Sequence, residues 1–161
     1  MQKSSQGFSL IELLIVVAII LIIAAIAIPN FLRSRVTANQ ASAVASLHTL
    51  NIAEVTYSAT YGAGYSVDMQ SLSPPAGTGA DPSSTAAGLI DSVLASGTKS
   101  GYSFTYSPGA SDTSGRISAY SFIATPISSS TGTNYYYTDE SGVTRLNATT
   151  TAGSSDSPVG D

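Results

Sequence analysis

Residues 13–28 read LLIVVAIILIIAAIAI, sixteen positions without a polar side chain. Extending the run back to Phe8 gives 21 residues interrupted only by Ser9 and Glu12. As an α-helix this stretch is about 31 Å long at ~1.5 Å per residue, which matches the hydrocarbon thickness of a bilayer. Its β-branched side chains would also suit a buried strand, but single strands do not reach that length. A transmembrane helix is therefore predicted over residues 8–30. A secretory signal peptide would be followed by a small-residue cleavage site, whereas this chain continues Pro29-Asn30-Phe31-Leu32-Arg33. A short polar leader, MQKSSQG, precedes the run. Lys3 lies on the leader and Arg33 and Arg35 lie beyond the far end, so the distribution of basic residues leaves the orientation open.

Glu12 is the residue that this environment makes informative. A carboxylate inside an apolar span costs about 2.5–3.5 kcal/mol on insertion scales, which marks it as a functional candidate. Its surroundings, Gly7-Phe8-Ser9-Leu10-Ile11-Glu12-Leu13-Leu14, resemble the type IV prepilin signature. The resemblance extends to the leader length, to Glu12 as the fifth residue after Gly7 and to Pro29 as the twenty-second. It implies that a membrane peptidase cuts between Gly7 and Phe8 and methylates the new N-terminal Phe8. It also implies a leader in the cytoplasm, a C-terminus outside, an inner-membrane assembly platform as partner, and a homo-oligomeric filament as product.

The residues supply a physical logic for such a signal. Cutting after Gly7 would create an α-amino group at Phe8 with a reference pKa of about 7.7–8.0, largely cationic at neutral pH. Phe8 and Glu12 stand one helical turn apart. Between subunits, Glu12 of one helix can meet the amine of its neighbour in a medium where opposite charges attract strongly. Burying either charge alone is costly, so the pair would enforce one axial register more than it would add net stability. Gly7, without a side chain, allows a protease close approach to the backbone.

Pro29 removes one helical hydrogen bond, so a kink or local melting is predicted at residues 25–29. Beyond it, an amphipathic helix is predicted over residues 31–61. With Leu47 as centre, Leu32, Val36, Ala43, Val44, Leu50, Tyr57 and Tyr61 fall within about 80° on either side. Arg35, Ser42, Ser46, Thr49 and Thr56 fall opposite. Glu54 lies inside the apolar stripe with no evident partner, and His48 on its flank reads as an interface or surface residue rather than a ligand. Gly62 and Gly64 end the helix.

Residues 62–101 are turn-rich, with Pro74-Pro75, Gly77, Gly79 and Asp81-Pro82. Leu89, Ile90, Val93 and Leu94 predict a short helix over residues 85–96, capped by Ser83 or Ser84 and stopped by Gly97. Alternation then predicts strands around Tyr102, Phe104 and Tyr106, over 117–125, over 135–138 and over 143–146, the last two joined through Asp139-Glu140-Ser141-Gly142. The fold class is α+β: a long N-terminal helix packed by its second half against a four-stranded antiparallel sheet spanning 102–147. Residues 148–161, rich in Ser, Thr and Gly, read as a flexible tail.

Composition narrows the function. Charged residues are 10% of the chain, against about 25% in an ordinary soluble domain. The 28 serines and 17 threonines supply uncharged polarity, suited to close packing of copies. A pI near 4.6 without a basic cluster argues against nucleic-acid binding as the main role. With no Cys and one His, there is no disulfide, no thiolate metal site and little scope for acid–base catalysis. No G-x-S-x-G motif supports a hydrolase, and neither an enzyme nor a cofactor is predicted. The resemblance leaves two roles, a structural subunit of a type IV pilus or the major pseudopilin of a type II secretion system. In that family many pilins close a C-terminal loop with a disulfide, while the major pseudopilin uses calcium. Asp112, Asp139 and Glu140 are the carboxylates here that could supply calcium oxygens. Asn147-Ala148-Thr149 matches a glycosylation sequon. The hydroxyl-rich composition favours the exposed pilus fibre.

Overall fold

The computed structural model describes residues 8–77 and 79–160. The chain divides into two units, residues 1–35 and 36–161. Helix α1, Leu10–Tyr61, runs through both. It opens at Ser9, whose carbonyl accepts from the N–H groups of Glu12 (3.1 Å) and Leu13 (3.2 Å).

In the first unit the apolar side chains lie bare. None of the most apolar 18-residue window is buried, and the helix is long and apolar enough to cross a membrane. Helical structure persists across residues 25–29, so the local melting predicted there is absent. Proline deprives the helix of one bond at a cost of about 3 kcal/mol. Breaking the chain there would sacrifice several bonds on either side, so the helix keeps the defect.

In the second unit a six-stranded antiparallel meander, ordered β1-β2-β3-β4-β5-β6, covers the amphipathic part of α1. The strands are β1 (Thr98–Lys99), β2 (Tyr102–Pro108), β3 (Tyr120–Pro126), β4 (Tyr135–Asp139), β5 (Arg145–Asn147) and β6 (Ser157–Pro158). Period-2 alternation sends Tyr102 and Phe104, then Tyr120, Phe122 and Ala124, then Tyr136 and Thr138 inward. Ala43, Leu47, Leu50, Ala53 and Tyr57 of α1 meet them in one core, joined by Met69, Leu72, Ala87, Ile90 and Leu94. The predicted polar face is wrong at one place. Ser46 is buried, made tolerable because its hydroxyl donates to the Ser42 carbonyl at 2.8 Å.

The expectation of four strands is corrected to six. Strand β1 has only two residues, too few for alternation to register. It returns to β2 through Ser100-Gly101, both with positive φ (49° and 75°), as a two-residue type I′ hairpin requires. Strand β6 lies within the predicted flexible tail. Asp156 ties it down. Its carboxylate accepts from Asn147 Nδ2 (3.0 Å) and the Gly153 N–H (2.8 Å), while its carbonyl accepts from Arg145 Nη1 (2.9 Å).

The helix predicted over 85–96 shrinks to α2, Ser92–Ala95, capped by Asp91, whose Oδ1 accepts from the Leu94 N–H at 2.8 Å. Residues 87–89 instead bond outward to the carbonyls of Ser71, Ser73 and Leu72 at 2.8–2.9 Å. That tie competes with helix formation and wins, since it also buries Ala87 and Ile90. The Ser71 and Leu72 carbonyls belong to a 3₁₀ turn, Met69–Leu72, capped by Asp68, and Ser73 is its C-cap.

The segment that follows α1 is bonded to the loop before β3 by the Tyr65 N–H, which donates to the Ile117 carbonyl at 2.9 Å. A methyl group at Gly64 would collide with that carbonyl. Gly64→Ala should therefore destabilise the protein by about 1–3 kcal/mol, the usual cost of overpacking. Urea unfolding of the detergent-solubilised chain measures this.

Candidate functional site

The candidate processing and assembly residues are Gly7, Phe8, Glu12 and Pro29. Gly7 and the rest of the leader lie outside the described residues. Phe8 precedes the first helical residue and is exposed, and Glu12 lies exposed in the first turn of α1. Glu12 is the only formally charged side chain between Phe8 and Ile28. Among the described residues it has no hydrogen-bond or ion-pair partner. Around it Leu10, Ile11, Leu13 and Leu14 are more than half exposed. A helix surface of this kind can do two things. It can dissolve in lipid, or it can pack against identical helices that bring a cation to Glu12.

The three candidate calcium carboxylates are not gathered. Asp112 Oδ1 accepts from the N–H groups of Ser114 (2.8 Å) and Arg116 (2.9 Å) within its own turn. The bonds from Arg116 and Ser114 hold its carboxyl below the ordinary range. Asp139 Oδ1 accepts from the Ser141 N–H at 3.0 Å and from its hydroxyl. Burial pushes that carboxyl up, but the Ser141 bonds outweigh it and the net direction is down. Glu140 Oε2 is turned toward the Tyr120 N–H at 3.4 Å. Among the described residues no three His, Asp or Glu side chains come together as metal ligands would.

His48 is exposed, as its flank position predicts, and borders a cleft with Ile52, Val55 and Glu140. In the sequon, the Asn147 Oδ1 accepts from the Thr149 and Thr150 N–H groups, both at 3.0 Å. Its Nδ2 is the donor that Asp156 holds.

Two polar arrangements in the core escape sequence reasoning. Asn51 joins helix to sheet: its Nδ2 donates to Thr138 Oγ1 (2.7 Å) and its Oδ1 accepts from the Tyr120 hydroxyl (3.1 Å). Glu54, fully buried, finds Ser66, whose N–H donates to Oε2 at 2.9 Å and whose Oγ lies 2.6 Å from Oε1. Burial pushes the Glu54 carboxyl up, a shift only partly offset by the hydrogen bonds from Ser66. Its place inside the apolar stripe marked Glu54 in the sequence, the same signal applies to Asn51, and the partners of both are set by distant parts of the chain.

Residues 2–28 match the prokaryotic N-terminal methylation motif. The match is confined to the N-terminal segment. Two named relatives also match part of the chain. The type IV major pilin protein PilA of Myxococcus xanthus is 49% identical over 53 residues, 33% of this chain and 24% of the relative. The type IV wide pilus major component PilA4 of Thermus thermophilus is 52% identical over 46 residues, 29% of this chain and 35% of the relative. The chain thus spans about a quarter to a third of the length of these relatives. No solved structure matches the chain.

Because the carboxylates of Asp112 and Asp139 are engaged within their own turns, a calcium chelator should leave the thermal midpoint unchanged. A drop of several degrees would mean that calcium does hold these loops together.

Proposed function

We propose that this protein is the structural subunit of a type IV pilus, held in the inner membrane by residues 8–30 until it polymerises into an extracellular filament. The observation that carries the reading is the bare apolar helix of residues 10–28 with one carboxylate near its start. The methylation motif and the two pilus-component relatives support it, and they favour the pilus over the pseudopilus of a secretion system. Cleavage between Gly7 and Phe8 by a prepilin peptidase, followed by N-methylation of Phe8, would leave a chain of 154 residues. Its net charge would be −5, because Lys3, the one charge on the leader, is lost.

Assembly then follows from electrostatics. The Phe8 amine of one subunit and Glu12 of another satisfy each other in the apolar filament core, and only one axial register allows it. Residues 36–147 face outward as the pilus coat, and Pro29 marks the exit from the apolar core.

Two variants test this. Gly7→Val should leave the chain inserted but uncut, so the intact mass of the envelope form retains the leader. Glu12→Ala should insert more easily, since a costly charge is gone. It should nevertheless yield few or no sheared filaments, because an uncompensated buried amine costs about 3–5 kcal/mol per contact. Normal filament yield from the alanine variant would reject the register mechanism. Loss of the variant from the membrane fraction would assign Glu12 to insertion instead.

A further inference from the structure

Ser66 and Glu54, both fully buried, present a hydrogen-bond count that does not close for a charged carboxylate. The Ser66 oxygen lies 2.6 Å from Glu54 Oε1 and 3.0 Å from the Asp68 carbonyl oxygen. A carbonyl and an ionised carboxylate both only accept, and a serine hydroxyl has one hydrogen to give. The Tyr106 hydroxyl cannot make up the deficit, because it donates to the Ser66 carbonyl at 2.6 Å. A proton on Glu54 Oε1 closes the count. Glu54 then donates to Ser66 Oγ, Ser66 donates to the Asp68 carbonyl, and Oε2 still accepts from the Ser66 N–H at 2.9 Å.

The surroundings agree. The titratable groups facing Glu54 are Tyr57 on α1, Tyr106 on β2 and Tyr120 on β3, with Asp68 of the returning chain acting on Tyr57. None is a cation, so a charge on Glu54 would be buried without a counter-ion.

We propose that Glu54 is a proton-bound acid in the folded subunit, and that its proton closes a pH-sensitive clamp joining α1 to the returning chain at residues 66–68. The clamp is independent of filament formation, since all its members lie within residues 36–161. Its sign follows from linkage. The folded chain keeps a proton that the unfolded chain, with an ordinary carboxyl at 4.5, gives up. The stabilisation is therefore complete below the unfolded value and is lost as pH rises through the raised native one.

The test uses the full chain in detergent, unfolded in urea at pH values from about 5 to about 8. Relative to Glu54→Gln, whose amide can donate to Ser66 at every pH, the wild type should lose up to about tenfold in its folded-to-unfolded ratio per pH unit. The two proteins should converge at the acid end. A second measurement does not require the variant to fold. In a Glu12→Gln background with isotope-labelled glutamate carboxyls, only Glu54 and the exposed Glu140 remain. An infrared band of a neutral carboxylic acid should persist above about pH 5.5, where an exposed glutamate with a reference pKa near 4.3 has ionised. Parallel pH profiles for the two proteins, or a labelled carboxyl that is wholly ionised at that pH, would overturn the proposal.

Discussion

One face of α1 carries the whole second unit. Ala43, Leu47, Leu50, Ala53 and Tyr57 are each 5% exposed or less, and they are the surface on which the inward side chains of β2, β3 and β4 close. Each large apolar side chain fully buried this way contributes about 1.5–3 kcal/mol, so the stripe is the main store of stability. The loops depend on it as well. Met69, Leu72, Ala87, Ile90 and Leu94 come from a segment almost without regular structure, yet all reach the same core. Once that core sets the helix against the sheet, Asn51 and Glu54 have to find partners across the interface, and the positions of Thr138 and Ser66 follow from that need.

The same helix has an opposite character in its first unit, where large apolar side chains from Leu10 to Leu32 are mostly half exposed or more. The sequence of α1 changes along its length: unbroken aliphatics to Ile28, then a one-sided stripe. Pro29 stands at the seam without interrupting the helix.

How far the sequence could be read depended on the range of the forces involved. The apolar run and the N-terminal motif were legible because each is a local pattern of contiguous residues. Strands β2 to β5 were legible because Tyr102 to Tyr106 and Tyr120 to Ala124 alternate over enough residues to register. Strands β1 and β6 were not, because two residues carry no period and their pairing rests on a turn and on Asp156. The helix over 85–96 failed for a related reason: the spacing of Leu89, Ile90, Val93 and Leu94 was real, but carbonyls at 71–73 competed for the same backbone donors. The hydrogen bonds that Asp112 and Asp139 accept within their own turns were not legible from spacing, because they depend on the local backbone path. Glu54 was visible as an anomaly, and only the return of the chain at Ser66 explained it.

Tyrosine does here what a cross-link does elsewhere. The Tyr57 hydroxyl donates to the Ser84 carbonyl (2.7 Å), that of Tyr106 to Ser66 (2.6 Å) and that of Tyr102 to Asn134 (2.9 Å). Each ring is anchored in the core and each hydroxyl fastens a stretch of irregular backbone lying over it. Burial raises the Tyr102 phenol to about 12, and it moves those of Tyr57 and Tyr106 upward too, so all three stay competent donors across the habitable range. Such fastenings need no oxidant, and in a chain without cysteine they leave the loops closed in reducing and oxidising surroundings alike.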